Sequence, residues 1–176
     1  MMENRLSAIL ASINEYEPIP WDALPNFGLY MDQVIMLITQ MYEPLYGKAA
    51  EKYISSSMIN NYVKSKLIPR PTGKKYNREQ IALLIMIVSL KHVSTMEEIR
   101  RMLIEAEDIG IMQLYTLFCA RQKATLHALV SELDPQTNDL PPALDYAIVA
   151  SGYHVSSALM LAPENDHDPD RRKADR

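Results

Sequence analysis

The stretch Ile54-Ser55-Ser56-Ser57-Met58-Ile59-Asn60-Asn61-Tyr62-Val63-Lys64, with the exit Leu67-Ile68-Pro69 and the run Arg70-Pro71-Thr72-Gly73-Lys74-Lys75-Tyr76-Asn77-Arg78, decides the fold. Serines 55 to 57 supply a helix N-cap, because a hydroxyl accepts the bond of an orphan amide in the first turn. The helix they open runs to about Lys66, and Pro69 and Pro71 close it. Ile59, Val63 and Leu67 lie four apart and form the buried face, whereas Ser57, Asn60, Asn61 and Lys64 share the other face. After it, Thr72-Gly73 flanked by basic residues predicts a tight turn between two short strands within Arg70 to Asn77.

Working outward, Asn77 caps the next helix, which carries Ile81, Leu84, Ile85 and Val88 to Lys91. Thr95-Met96-Glu97-Glu98 is a capping box opening another helix, with Met96, Ile99 and Leu103 as its inward stripe. On the N-terminal side, apolar residues at helical spacing predict helices over Arg5 to Asn14 and Met31 to Met41. Glu43-Pro44 is expected to end the second. Glu17 to Gly28 holds three prolines with Trp21 and Phe27 and reads as a packed connector. C-terminally, Ile111 to Leu133 predicts a long amphipathic helix, Asp134 to Asp139 a polar connector, and Pro141-Pro142 the start of a last helix ending at Pro163. That helix is rich in Ala, Ser and Gly, and residues 164–176 read as a disordered polar tail.

Composition agrees with a helical, soluble domain: 48% of residues are hydrophobic and 23% charged, and there are only 5 glycines, too few for a turn-rich β fold. The longest apolar stretch, Ile81 to Leu90, falls short of the roughly 20 residues a membrane span needs, so no membrane partner is expected. The N-terminus lacks the apolar run of a signal peptide, and the protein reads as cytoplasmic. Between Lys52 and Lys91 eight basic residues face one acid, Glu79, a local +7 that leaves −11 for the rest of a chain of net charge −4. Charge segregated in this way points to one basic surface, the footprint of a polyanion partner.

The chemistry of enzymes and metal centres finds no support. One cysteine, Cys119, excludes an internal disulfide and a multi-cysteine zinc site, and His92, His127, His154 and His167 have no ligand spacing. Ser151, His154 and Asp145 share one helix, but nothing there strains or activates the serine. Asp166-His167-Asp168 lies in the tail, where solvation is the simplest reading. No cofactor and no catalytic residue is expected.

The 54–69 block resembles the recognition helix of MerR-type regulators, with its capped start, core residue, tyrosine and Leu-Leu-Pro-like exit. Lys74-Lys75-Tyr76-Asn77 is similar to the exit of that family's wing, and Ile81–Leu90 and Met96–Leu103 to the two helices that complete its domain. Asn60, Asn61 and Lys66 stand where the family usually has Arg, Tyr and Gly. From about Pro18 to Gly110 the chain resembles still more closely a bacterial family known only as domain of unknown function 1836. The first resemblance implies an all-α fold with a minor two-stranded β wing, a winged helix-turn-helix domain with a C-terminal helical extension. Its segments would be 1–30, an N-terminal helix and connector; 31–109, the DNA-binding domain; 110–162, helices for dimerisation or packing; and 163–176, the tail. It further implies a transcriptional regulator binding double-stranded DNA as a homodimer. The helix 56–66 would enter the major groove, where Asn reads adenine edges and Lys reaches guanine or phosphate. The contact residues would be Ser56, Ser57, Asn60, Asn61, Tyr62, Lys64, Lys66, Arg70, Lys74, Lys75, Tyr76 and Arg78, with 70–78 on the phosphate backbone. Two other readings are open: a protein-interaction module that kept the fold without DNA binding, and a regulator with an effector pocket in the C-terminal helices.

Overall fold

The capped and apolar-periodic segments fold as helices around one core in the computed structural model, which describes residues 2–132 and 141–162. In chain order these are α1 (Met2–Glu15), β1 (Leu29–Tyr30), α2 (Met31–Tyr46), α3 (Ser56–Lys64), β2 (Lys75–Tyr76), α4 (Arg78–Leu90), α5 (Met96–Glu105), α6 (Ile111–Glu132) and α7 (Pro142–Leu161). The fold is mostly helical, with one small antiparallel sheet. The expected connector 134–139 and tail 163–176 lie outside the described residues.

Helix α4 is the centre. Gln80 to Val88 are buried without a break, which explains its nearly unpatterned apolar sequence: a helix covered on all sides has no polar face. Asn77 and Gln80 satisfy its first turn reciprocally, at 2.8 and 2.9 Å. The Thr95 cap of α5 forms as the sequence predicts, Glu98 N–H donating to the hydroxyl and Thr95 N–H to the Glu98 carboxylate. Those bonds to Thr95 hold the Glu98 carboxyl below its ordinary value.

Three expectations are corrected. Pro44 does not end α2, which runs on to Tyr46. The proline removes one amide donor, but the last turn is held by aromatic stacking, Tyr46 on Tyr53 with ring centroids 3.9 Å apart, and by the Gly47 amide donating to Glu43. Helix α3 ends at Lys64, two residues early, because Lys66 takes a left-handed conformation (φ +58°) that turns the chain. The Leu67 amide then donates back to the Tyr62 carbonyl at 2.9 Å, and the Arg100 guanidinium donates to that of Ser65. The wing is not a hairpin within 70–77: Thr72 bridges Lys75 across the tight turn, but β2 pairs with β1, Leu29 opposite Tyr76 and Tyr30 opposite Lys75. The strands come together closely. A Cβ on Gly28 would sit 2.8 Å from that of Lys75, so this position tolerates no side chain without a shift.

The core also runs across the expected segment boundaries at 30/31 and 109/110. Tyr16, Leu24 and Leu29 from one side and Tyr115 and Cys119 from the other are buried in the same cluster. Tyr115 OH donates to the Ile19 carbonyl at 2.7 Å, and Tyr16 OH to Gln122 at 2.7 Å, while the Gln122 amide donates to Ser89 at 3.2 Å. These bonds fasten α6 to α4 and to the connector that follows α1. Helix α7 rests on α5, with Arg101 donating to the Leu161 carbonyl at 3.3 Å.

Candidate nucleic-acid interface

The polar face of α3 is set by its cap. Met58 N–H donates to the Ser55 hydroxyl at 3.3 Å, and Ile59 is fully buried, which leaves Ser56, Ser57, Asn60, Asn61 and Lys64 exposed. Two residues beyond the helix, Lys66 projects from its left-handed turn, and Arg70, Lys74 and Lys75 are exposed along the connection to β2.

The pairing of β2 with β1 folds this connection back over α3. As a result Asn60 and Lys74 line one cleft of about 540 Å³, together with Tyr30, Asp32 and Pro71. A neighbouring cleft of about 320 Å³ brings together Lys64, Lys66 and Arg70, and Val63 lines both. The helix face and the basic turn, separate in sequence, thus share one surface. Among the described residues no carboxylate pairs with Lys64, Lys66, Arg70, Lys74 or Lys75; the ion pairs lie elsewhere, at Glu97 and Glu17. Lys75 holds its ammonium 5.1 Å above the Tyr30 ring, which fixes the direction of an otherwise mobile side chain.

Two candidate residues are buried, although Tyr76 also lines the cleft of Asn60 and Lys74. Tyr62 and Tyr76 are 3% and 2% exposed, and burial raises both phenols above their ordinary value. They support the face from beneath: Tyr62 turns inward beside Ile59, and Tyr76 points to the core because residues alternate along a strand. Arg78 is half-buried with its guanidinium 5.5 Å from the Trp21 ring, and its Nε has no hydrogen-bond partner among the described residues. Lys91 leaves the basic cluster altogether. Its ammonium donates to the Tyr53 carbonyl at 2.5 Å, and burial lowers its pKa.

Sequence reasoning missed Tyr30 and Asp32, which line the cleft. No local signal marks them, since both arrive through the long-range pairing of β1 with β2. Asp32 is the one acid among the described residues lining that cleft, which it shares with Lys74 and Asn60. Elsewhere, no cluster of His, Cys, Asp and Glu able to hold a metal occurs among the described residues. The Ser151 hydroxyl donates to the Ile148 carbonyl of its own helix at 2.7 Å, an ordinary helical arrangement. No helix among these residues is long and apolar enough to cross a membrane.

Residues 19–118 match the family model described as a domain of unknown function (DUF1836). The match runs from the connector before β1 to the first half of α6 and holds most of the core, with Tyr16 and Cys119 of the same cluster just outside it. No curated protein and no solved structure matches the chain.

Proposed function

The chain belongs to the DUF1836 family, and from this premise we propose that it is a DNA-binding regulator in which α2 and α3 act as a helix-turn-helix and the 70–78 connection as a basic wing. The observation that carries this reading is the shared surface of Asn60, Asn61 and five exposed cations, Lys64, Lys66, Arg70, Lys74 and Lys75, without carboxylate partners among the described residues. Cations left solvated on a protein of net charge −4 are suited to displacing counterions from phosphates. The Asn side chains at the centre of the patch have the donor and acceptor that an adenine edge requires. In this reading α3 lies in the major groove, the wing lies on the backbone, and two protomers bind a two-fold site.

Fluorescence anisotropy with a generic duplex, titrated with salt, tests it. Five phosphate contacts per protomer give a log-log slope of roughly −4.5, about −0.9 for each. Lys74→Glu with Lys75→Glu is expected to weaken all duplexes and flatten that slope. Asn60→Ala with Asn61→Ala is expected to lower discrimination between sequences more than affinity. Binding that is absent, or indifferent to salt and to the lysine substitutions, refutes the reading. Asp32 in the cleft favours a second one: a module whose partner is a basic or polar protein segment. Under it the lysine substitutions leave duplex behaviour unchanged, and Asp32→Asn abolishes partner binding.

A further inference from the structure

The outward side of α7 is apolar, and none of the described residues covers it. Leu144, Ile148, Gly152, Val155 and Leu159 fall within one arc of the helix, and all five are exposed. Val149, Tyr153 and Met160 widen the patch on one side, Met160 being 84% exposed. Over the whole helix only Asp145 carries a fixed charge. A surface of this kind exceeds the scattered apolar exposure of ordinary monomers and marks a contact.

Gly152 shows what kind of contact it is. Glycine in a helix interior is unfavourable relative to alanine, so its presence calls for a close approach. Among the described residues there is none, because a Cβ added at Gly152 would meet no atom of theirs within 4 Å. The room it leaves is filled by none of the described residues and suits the close approach of a second helix.

We propose that α7 is the dimer interface, with a second copy of this chain crossing antiparallel at Gly152. The seam is nearly palindromic about that residue. A two-fold axis there sets Ile148 against the Val155 region and Leu144 against Leu159, apolar against apolar at each step, as an isologous contact requires. It also places the two Asp145 carboxylates at opposite ends of the contact, where they do not repel. A helix of this length is about 30 Å long and 10–12 Å across. Its outward half offers on the order of 600 Å², so two copies bury roughly 1,200 Å², the lower edge of a stable interface. Arg101 on Leu161 and Arg100 on Ser65 link α7 through α5 to the end of α3. The assignment takes the dimer from the DNA-binding reading and gives it a location, but its test uses no DNA, so the two fail separately.

Sedimentation velocity of the full chain over a range of concentrations is expected to show a monomer–dimer equilibrium. Gly152→Leu, whose Cβ meets no atom of the described residues within 4 Å, is expected to raise the dimer Kd at least tenfold with the helical circular dichroism unchanged. Gly152→Cys is expected to give a disulfide-linked dimer on mild oxidation, since Cys119 is buried and does not compete. A chain that stays monomeric throughout overturns the proposal and assigns the face to a different protein. A dimer unaffected by Gly152→Leu, or one that Gly152→Cys does not cross-link, overturns the placement at Gly152.

Discussion

Lys66 and Lys74 are the two non-glycine residues with positive φ among the described residues, at +58° and +64°, and both carry charges of the basic surface. A side chain with a Cβ is disfavoured in this region by about 1 kcal/mol or more, and such strain tends to persist where function holds it. Glycine is the residue that adopts such a turn without this cost. The chain therefore keeps a cation where stability alone would select glycine. Lys66→Gly is expected to stabilise the fold by about 1 kcal/mol, read as a higher urea midpoint at unchanged m-value. The same substitution is expected to weaken duplex binding and reduce the salt slope by about 0.9. A variant that gains stability with no change in the slope removes Lys66 from the phosphate contacts. One that gains none removes the strain argument. The lysine itself was plain in the sequence. Its conformation was not, because lysine is a good helix former and nothing local marks the end of α3 at Lys64.

Gln80 ties two elements together, and it shows how far elements can be read from sequence. Its carbonyl oxygen accepts from the Asn77 amide at 2.8 Å, completing the cap of α4, and its amide donates to the Pro69 carbonyl at 3.0 Å. It is the one buried polar side chain of α4, at the head of the buried run Gln80 to Val88. Gln80→Leu keeps the bulk, loses the bond to the turn after α3, and leaves the Asn77 amide to solvent. The expected cost is about 2 kcal/mol, seen as a lower Tm together with faster amide exchange at Asn77. An unchanged Tm would show that the apolar contacts of α4 alone hold this junction. The caps at Ser55, Asn77 and Thr95 were legible because capping chemistry is local. The partner of β2 was not. Leu29-Tyr30 is two residues long and lies more than forty positions away, so neither alternation nor turn residues announce it. Pro44 misled for a related reason: the stacking of Tyr46 on Tyr53 that carries α2 past it is tertiary.

For the molecule as a whole, the apolar periodicity identified the helices, while the extent of the single core came from contacts that periodicity does not encode. Tyrosines decide that extent. Tyr16 just after α1, Tyr42 from α2 and Tyr115 from α6 are 1%, 2% and 0% exposed, and Tyr16 stacks on Tyr42 with ring centroids 6.0 Å apart. Burial, the largest cause in each case, pushes all three phenols above their ordinary value of 10.0. In the unfolded chain they lose their protons near that value. Above it the unfolded state binds fewer protons than the folded one, so stability falls as pH rises; below it these groups contribute no slope. Each phenol contributes at most about 1.4 kcal/mol per pH unit in that window, and three together about 4. A domain of ordinary stability, roughly 5–15 kcal/mol, is then expected to unfold within a few pH units above 10, or about two at the lower end of that range. Following tyrosinate absorbance and helical circular dichroism in one alkaline titration checks this. The expected result is a late, steep rise in absorbance that coincides with the loss of helix. Complete ionisation of the tyrosines while the helical signal is intact would mean that solvent reaches the Tyr16–Tyr42–Tyr115 cluster, and that α6 is not fastened to the core as described.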